Sequence, residues 1–275
     1  MPATIMSVRG VRRSFAEIVR SDMGAKTALL AFADGDIRPV LRGATRSRRA
    51  EAEALIRRIH PDCVVEPADD NTLLDGTYPS DDLTYGTVLA GAELYCDRRL
   101  VLGRPSELPE HLRQAGAGRR IIMHGMHSVV DWLSFAVWED GVLIRSLSLS
   151  PDGGIRENIG KPYDFELPYW AGEHAVEPVP GWHNQDPYPL PFHPLDLGEE
   201  ALRALFGFSI EGRSTPDDID ADAVHLHGFR VTDPSGEEQA AREAAYAAAL
   251  QAMGPRRTYR MGPDGTLHEV GPDNR

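Results

Sequence analysis

The chain has 275 residues, 41% hydrophobic and 26% charged, enough to bury a substantial core in one large or two small domains. Its net charge of −13 argues against broad binding to nucleic acid or anionic lipid, and no run approaches the roughly eighteen apolar residues of a membrane span. Two cysteines, Cys63 and Cys96, cannot make a disulfide scaffold, so a reducing, cytoplasmic setting is expected.

Residues 1–22 hold Arg9, Arg12, Arg13 and Arg20 but lack the apolar core of a signal peptide. They read as a disordered tail, or as an extension upstream of a natural start at Met23. Order is expected from Gly24. KTALLAFADGDIRPVL reads as a hairpin turning on Asp34-Gly35, with Phe32 facing Ile37 and Leu29 facing Val40. Pro39 would place its second strand at an edge. A helix follows from about Arg46 to His60, with Ala52, Leu55, Ile56 and Ile59 on one stripe and its arginines in solvent.

Short strands are expected at 63–66, 87–90 and 93–96. Ser106 should cap a short helix through Ala115, with Gly116 at its C-terminal end. From Arg119 to Ser150 the chain reads as a strand, a polar corner and a hairpin on Asp140-Gly141. Pairing across that turn sets Val137 against Ile144 and Trp138 against Leu143. Leu133, Phe135, Val137 and Ile144 then share one face. Trp132, Trp138, Leu143, Leu147 and Leu149 share the other, broken by Arg145.

Residues 151–198 combine nine prolines with seven aromatic residues, among them Tyr163, Tyr169, Trp170 and Trp182. Disordered linkers are poor in aromatics, so an ordered strap over the sheet is expected. Asp196 and Glu199 should start a helix lined by Leu202, Leu205 and Phe206 and ended by Gly207. VHLHGFRV, residues 224–231, reads as a strand after an acidic loop. A helix from Gly236 to Met253 should present Tyr246, Ala249, Leu250 and Met253, and a last hairpin should turn on Asp264-Gly265. The fold class is therefore α+β, an antiparallel sheet built from Asp-Gly hairpins with a few amphipathic helices packed on it. One domain over 23–270 and a tail at 271–275 are expected.

Several long phrases are similar to an actinobacterial family of unknown function: MGAKTALLAFADGD, CDRRLVLGRPSELPEHL, MHSVVDWLSFAVWEDG, RSLSLSPDGGIRENIG, PYWAGEH, YPLPFHPL and VHLHGFRV. The resemblance runs from Met23 to Val231 and leaves residues 1–22 outside, in keeping with a start at Met23. It implies no activity, cofactor or catalytic residue, so function rests on the residues themselves.

His124, His127 and Asp131 form the densest group of chemical residues. Imidazole and carboxylate suit zinc, iron or manganese. Residues three apart on a strand point to opposite faces, so a bend at Gly125 would be needed to join the two histidines. His225, His227, Glu173 or His174 could complete a site. His225 and His227, two apart, place both rings on one strand face. A divalent metal enters only with this reading, a metal-dependent hydrolase, against structural histidines held by hydrogen bonds.

Ser128 beside His127 lacks a G-x-S-x-G elbow, and both cysteines lie in apolar surroundings. The carboxylates Asp131, Glu157, Glu166 and Glu173 flank the strap, as a carbohydrate-cleaving pair would, but 42 acidic residues produce such sets by chance. The leading expectation is a non-catalytic binding or regulatory protein. Trp132, Tyr169, Trp170, Glu173 and Trp182 would form a groove for a small ligand or protein partner, with no nucleic acid or membrane involved.

Overall fold

Strand β1, Lys26–Ala33, is buried on both faces and sits in the middle of the sheet. Ala28, Leu30 and Phe32 pack into one hydrophobic core, and Leu29, Ala31 and Ala33 into another on the opposite side. That explains its near-continuous apolar run. The computed structural model describes residues 24–178, 187–212, 214–252, 258–261 and 267–270.

The remaining elements, in chain order, are helices α1 (Arg38–Arg42) and α2 (Arg49–Ile59), β2 (Val64–Thr72), the single turn α3 (Leu73–Gly76), β3 (Leu83–Leu89) and β4 (Ala92–Cys96). Then come α4 (Glu110–Ala115), β5 (Arg120–His127), β6 (Trp132–Glu139), β7 (Val142–Ser150), β8 (Gly154–Ile159), α5 (Leu167–Trp170), α6 (Pro194–Phe206) and β9 (His225–Thr232). Nine antiparallel strands form one sheet in the order β2-β9-β3-β4-β1-β5-β6-β7-β8. Leu197, Ala201, Leu202 and Leu205 of α6 pack on the face of Leu133 and Phe135, and Leu55, Ile56 and Ile59 of α2 on the face of Leu30 and Trp138. Each such leucine contributes about 2 kcal/mol. The architecture is α+β.

The chain divides into two compact units, one ending at Thr232 and one beginning at Asp233. The second holds helix α7 (Glu237–Ala252) and a ribbon of β10 (Thr258–Met261) and β11 (Leu267–Val270). Of the expected stripe, Tyr246, Ala249 and Leu250 fall within α7, while Met253 and the Asp264-Gly265 turn lie outside the described residues.

The hairpin expected at Asp34-Gly35 does not form. β4 and β5 already pair with the two edges of β1, which leaves no room for a returning strand. The chain instead enters α1, with Pro39 in its first turn and the Asp36 carboxylate on the Arg38 backbone and guanidinium.

At Asp140-Gly141 the turn does close, both residues having positive φ (48° and 78°) and Trp138 standing opposite Leu143. Val137, however, pairs with Arg145 and not with Ile144, because a bulge inserts Ile144 as an extra residue. That slip turns Arg145, Leu147 and Leu149 onto the face of Leu133, Phe135 and Val137, reversing the expected arrangement.

Arg145 is therefore fully buried, where it forms a two-pronged ion pair with the equally buried Glu166, at 2.6 and 2.9 Å. The guanidinium also donates to Asn158 and the Ile159 carbonyl, and Glu166 accepts from Tyr163 N–H and the Trp170 indole. This network ties the strap to the sheet. Ser106 does not cap a helix: its N–H and hydroxyl both donate to Glu157 (3.0 and 2.6 Å), and α4 begins after Pro109. Helix α6 starts two residues before Asp196, with the His193 ring capping Leu195 N–H, and Glu199 accepts instead from Ile210 and Glu211.

Removing one partner of a buried ion pair strands the other charge. Glu166→Ala is expected to cost about 3–5 kcal/mol in urea unfolding, and Arg145→Met with Glu166→Leu to recover most of it. A single-variant loss under about 1 kcal/mol would show that the pair does not hold the strap.

Candidate functional site

The two histidines of β9 meet a carboxylate from the neighbouring strand. In the β2–β9 ladder, Ala68 pairs with Gly228 and Asn71 with Leu226, so Asp69 and Asp70 together oppose the single residue His227. This bulge re-aims the Asp70 side chain onto the face of His225 and His227. Gly228 permits it, since a Cβ there would lie 2.0 Å from the Asp69 carbonyl oxygen.

Asp70 Oδ2 lies 3.1 Å from His225 Nε2 and 3.5 Å from His227 Nδ1, and the two rings meet edge to face at 4.6 Å. Among the described residues, this is the one place where three such donor atoms fall within 4.8 Å of one another. Asp70 Oδ1 is held by Arg49, which also donates to the Gly228 carbonyl, and Arg46 reaches Oδ2 at 3.2 Å.

The tautomer of His227 follows from its surroundings. Its Nε2 lies 2.9 Å from the Ser47 carbonyl oxygen, which can only accept, so Nε2 carries the proton. Nδ1, the atom that bears the lone pair whenever the ring is neutral, is buried and without a hydrogen-bond partner. Burial opposes ionisation of Asp70, but the Gly228 N–H and the charge of Arg49 outweigh it and hold the carboxyl below its usual range. Burial, aided by Arg46, lowers His225 and keeps its ring in the neutral, ligating form.

The other expected ligands are dispersed. His124 and His127 stay on opposite faces of β5, as strand geometry requires. Gly125 does not bend the strand; it makes room for the Trp132 ring, which would lie 2.8 Å from an added Cβ. His124 is fully buried, its Nε2–H donating to the Gly198 carbonyl at 3.0 Å and its Nδ1 accepting from the Thr27 hydroxyl at 2.7 Å. His127 Nδ1 accepts from Val129 N–H. Asp131, at φ 45°, lies 3.7 Å from His193. These three residues share no site with each other or with His225 and His227.

The aromatics expected to line a groove turn inward. Trp132 is buried against Ser148, Tyr169 donates to the Asp196 carbonyl and stacks on His174, and Trp170 packs on Phe192. Glu173 is exposed, and Trp182 lies outside the described residues. Glu157 and Glu166 serve the two networks described above. Cys96 is fully buried with its thiol pushed up by burial, and Cys63 is half-buried.

Asp70 was missed in the sequence because β2 was expected to end at residue 66. The run Asp69-Asp70-Asn71 disfavours a strand. The signal was Gly228 opposite it, a strand-interior glycine of the kind that marks close backbone approach.

A family model matches residues 27–229, described as a family of unknown function, DUF6928. The chain belongs to that family. The match spans β1 to β9 and includes Asp70, His225 and His227. No curated protein and no solved structure matched the chain. Among the described residues, no helix is long and apolar enough to cross a membrane.

Burial lowers the His124 imidazole from 6.5 to about 4. The unfolded chain therefore takes up a proton that the folded chain refuses, and stability is lost as pH falls from 6.5 towards 4, by up to about 3 kcal/mol. Chemical unfolding across that window should show the decline in the wild type and a flatter curve in His124→Gln. An equal decline in both would assign it to other groups.

Proposed function

We propose that this protein is a non-catalytic binding protein whose small ligand is a divalent transition-metal ion, held by Asp70, His225 and His227. The observation that carries the reading is His227 Nδ1, buried, without a hydrogen-bond partner and 3.5 Å from a carboxylate oxygen. With the ring in its neutral, ligating form, two electron-rich atoms face each other there, and a cation between them would bind both. Ligating histidines characteristically donate their other ring N–H to a carbonyl, as His227 does to Ser47. Two imidazoles and one carboxylate suit zinc, iron, manganese or cobalt.

A metal on Oδ2 displaces Arg46, whose side chain is 68% exposed, while Arg49 keeps Oδ1. An exposed ion pair contributes only about 0–1 kcal/mol, so the exchange costs little. The arrangement favours binding over hydrolysis. Apart from the two imidazoles, the ionisable groups paired with Asp70 are guanidinium groups, which retain their protons and cannot act as a general base.

Isothermal titration of chelator-treated protein with zinc at pH 7.5 tests this directly. About one ion per chain is expected, with affinity reduced roughly 100-fold by His227→Ala and by Asp70→Asn. Equal binding by the wild type and both variants, or none by the wild type, would end the metal reading. The protein should also be stabilised by about 2.7 kcal/mol when free zinc is 100 times the dissociation constant.

A further inference from the structure

We infer that the metal-occupied site takes a small oxyanion, a carboxylate or phosphate group, as a further ligand shared between the metal and Arg46. This rests on the metal reading above.

Three protein ligands leave a first-row transition ion with open coordination positions. One carboxylate here already faces two guanidinium groups, so a dication leaves the site with a strong excess of positive charge. Arg49 remains bound, through Oδ1 of Asp70 and the Gly228 carbonyl. Arg48 is engaged with Glu51, away from the site. Arg46 is the guanidinium whose partner oxygen the metal takes.

Arg46 cannot drift far from the metal, because the adjacent residue, Ser47, is tied through its carbonyl to His227 and through its hydroxyl to Thr87. The released side chain is mostly solvent-exposed and carries a planar fork suited to paired oxygens. Carboxylate and phosphate have that geometry and also ligate such metals. Chloride, a single sphere, can fill a coordination position but cannot satisfy the fork.

Cobalt(II), followed by its visible absorption, is the probe. Chelator-treated protein is titrated with cobalt in chloride buffer, and again with millimolar inorganic phosphate or acetate. The apparent cobalt affinity should rise about fivefold or more with at least one oxyanion, with a changed absorption band. Arg46→Ala should bind cobalt in chloride as tightly as wild type, or more tightly, and lose the oxyanion increment. A response to phosphate alone identifies a phosphate-type ligand, and a response to acetate alone a carboxylate. Cobalt binding that neither oxyanion alters, or an increment kept in Arg46→Ala, would overturn the inference and leave the metal reading standing. No cobalt binding in any buffer would remove both.

Discussion

Side chains alternate along a strand, so in a sheet covered on both faces an inserted residue moves everything after it to the opposite side. Two such insertions decide most of what is distinctive here. The extra residue Ile144 carries Arg145 into the core beneath the strap, where it meets Glu166. The extra residue in β2 carries Asp70 across to the histidines of β9. Without the first, the strap loses its buried anchor. Without the second, a single residue of β2 would stand opposite His227 in place of the Asp69-Asp70 pair.

The two bulges produce charge clusters of opposite character. At Arg145–Glu166, both charges are completely buried and the fork is met by carboxylate, amide and carbonyl oxygens. A buried network satisfied to this degree rigidifies the fold and has no valence left for a ligand. At Asp70, two buried ring nitrogens lack partners, and one oxygen is contested by an arginine and two imidazoles. Native proteins seldom leave buried polar atoms unpaired without a use for them. The difference in satisfaction separates the structural cluster from the candidate site more sharply than residue type does, since acidic and basic groups occur in both.

Much of the fold was legible where one physical rule acted alone. The apolar stripe of α2 and the facing of His225 with His227 follow from helical and strand periods. The positive φ angles at Asp140-Gly141 follow from turn chemistry. Legibility failed where a local signal competed with long-range pairing. Asp34-Gly35 carries the same dipeptide, yet β4 and β5 had taken both edges of its strand. Ser106 looked like a helix cap until Glu157, far along the chain, claimed its hydroxyl. Half of the candidate site was visible as HLH. The other half depended on a bulge, and a bulge is a property of two strands together.

The arginines around α2 show the same limit in energetic terms. From sequence they read as a solvated face, and as a class they are solvated. Arg48 pairs with Glu51, Arg57 with Glu53 and Arg58 with Glu93. These are ordinary surface pairs, each worth little and each able to exchange with water. Arg46 differs only in whose oxygen it touches. Its partner belongs to a group that two imidazoles also approach, so any cation entering there changes what Arg46 can bind. In a chain of net charge −13, a Debye length of about 8 Å screens the distant charges, so a small anion responds mainly to this immediate cluster. Occupancy of the site by a cation would add to the positive charge of a cluster in which one carboxylate already meets two guanidinium groups.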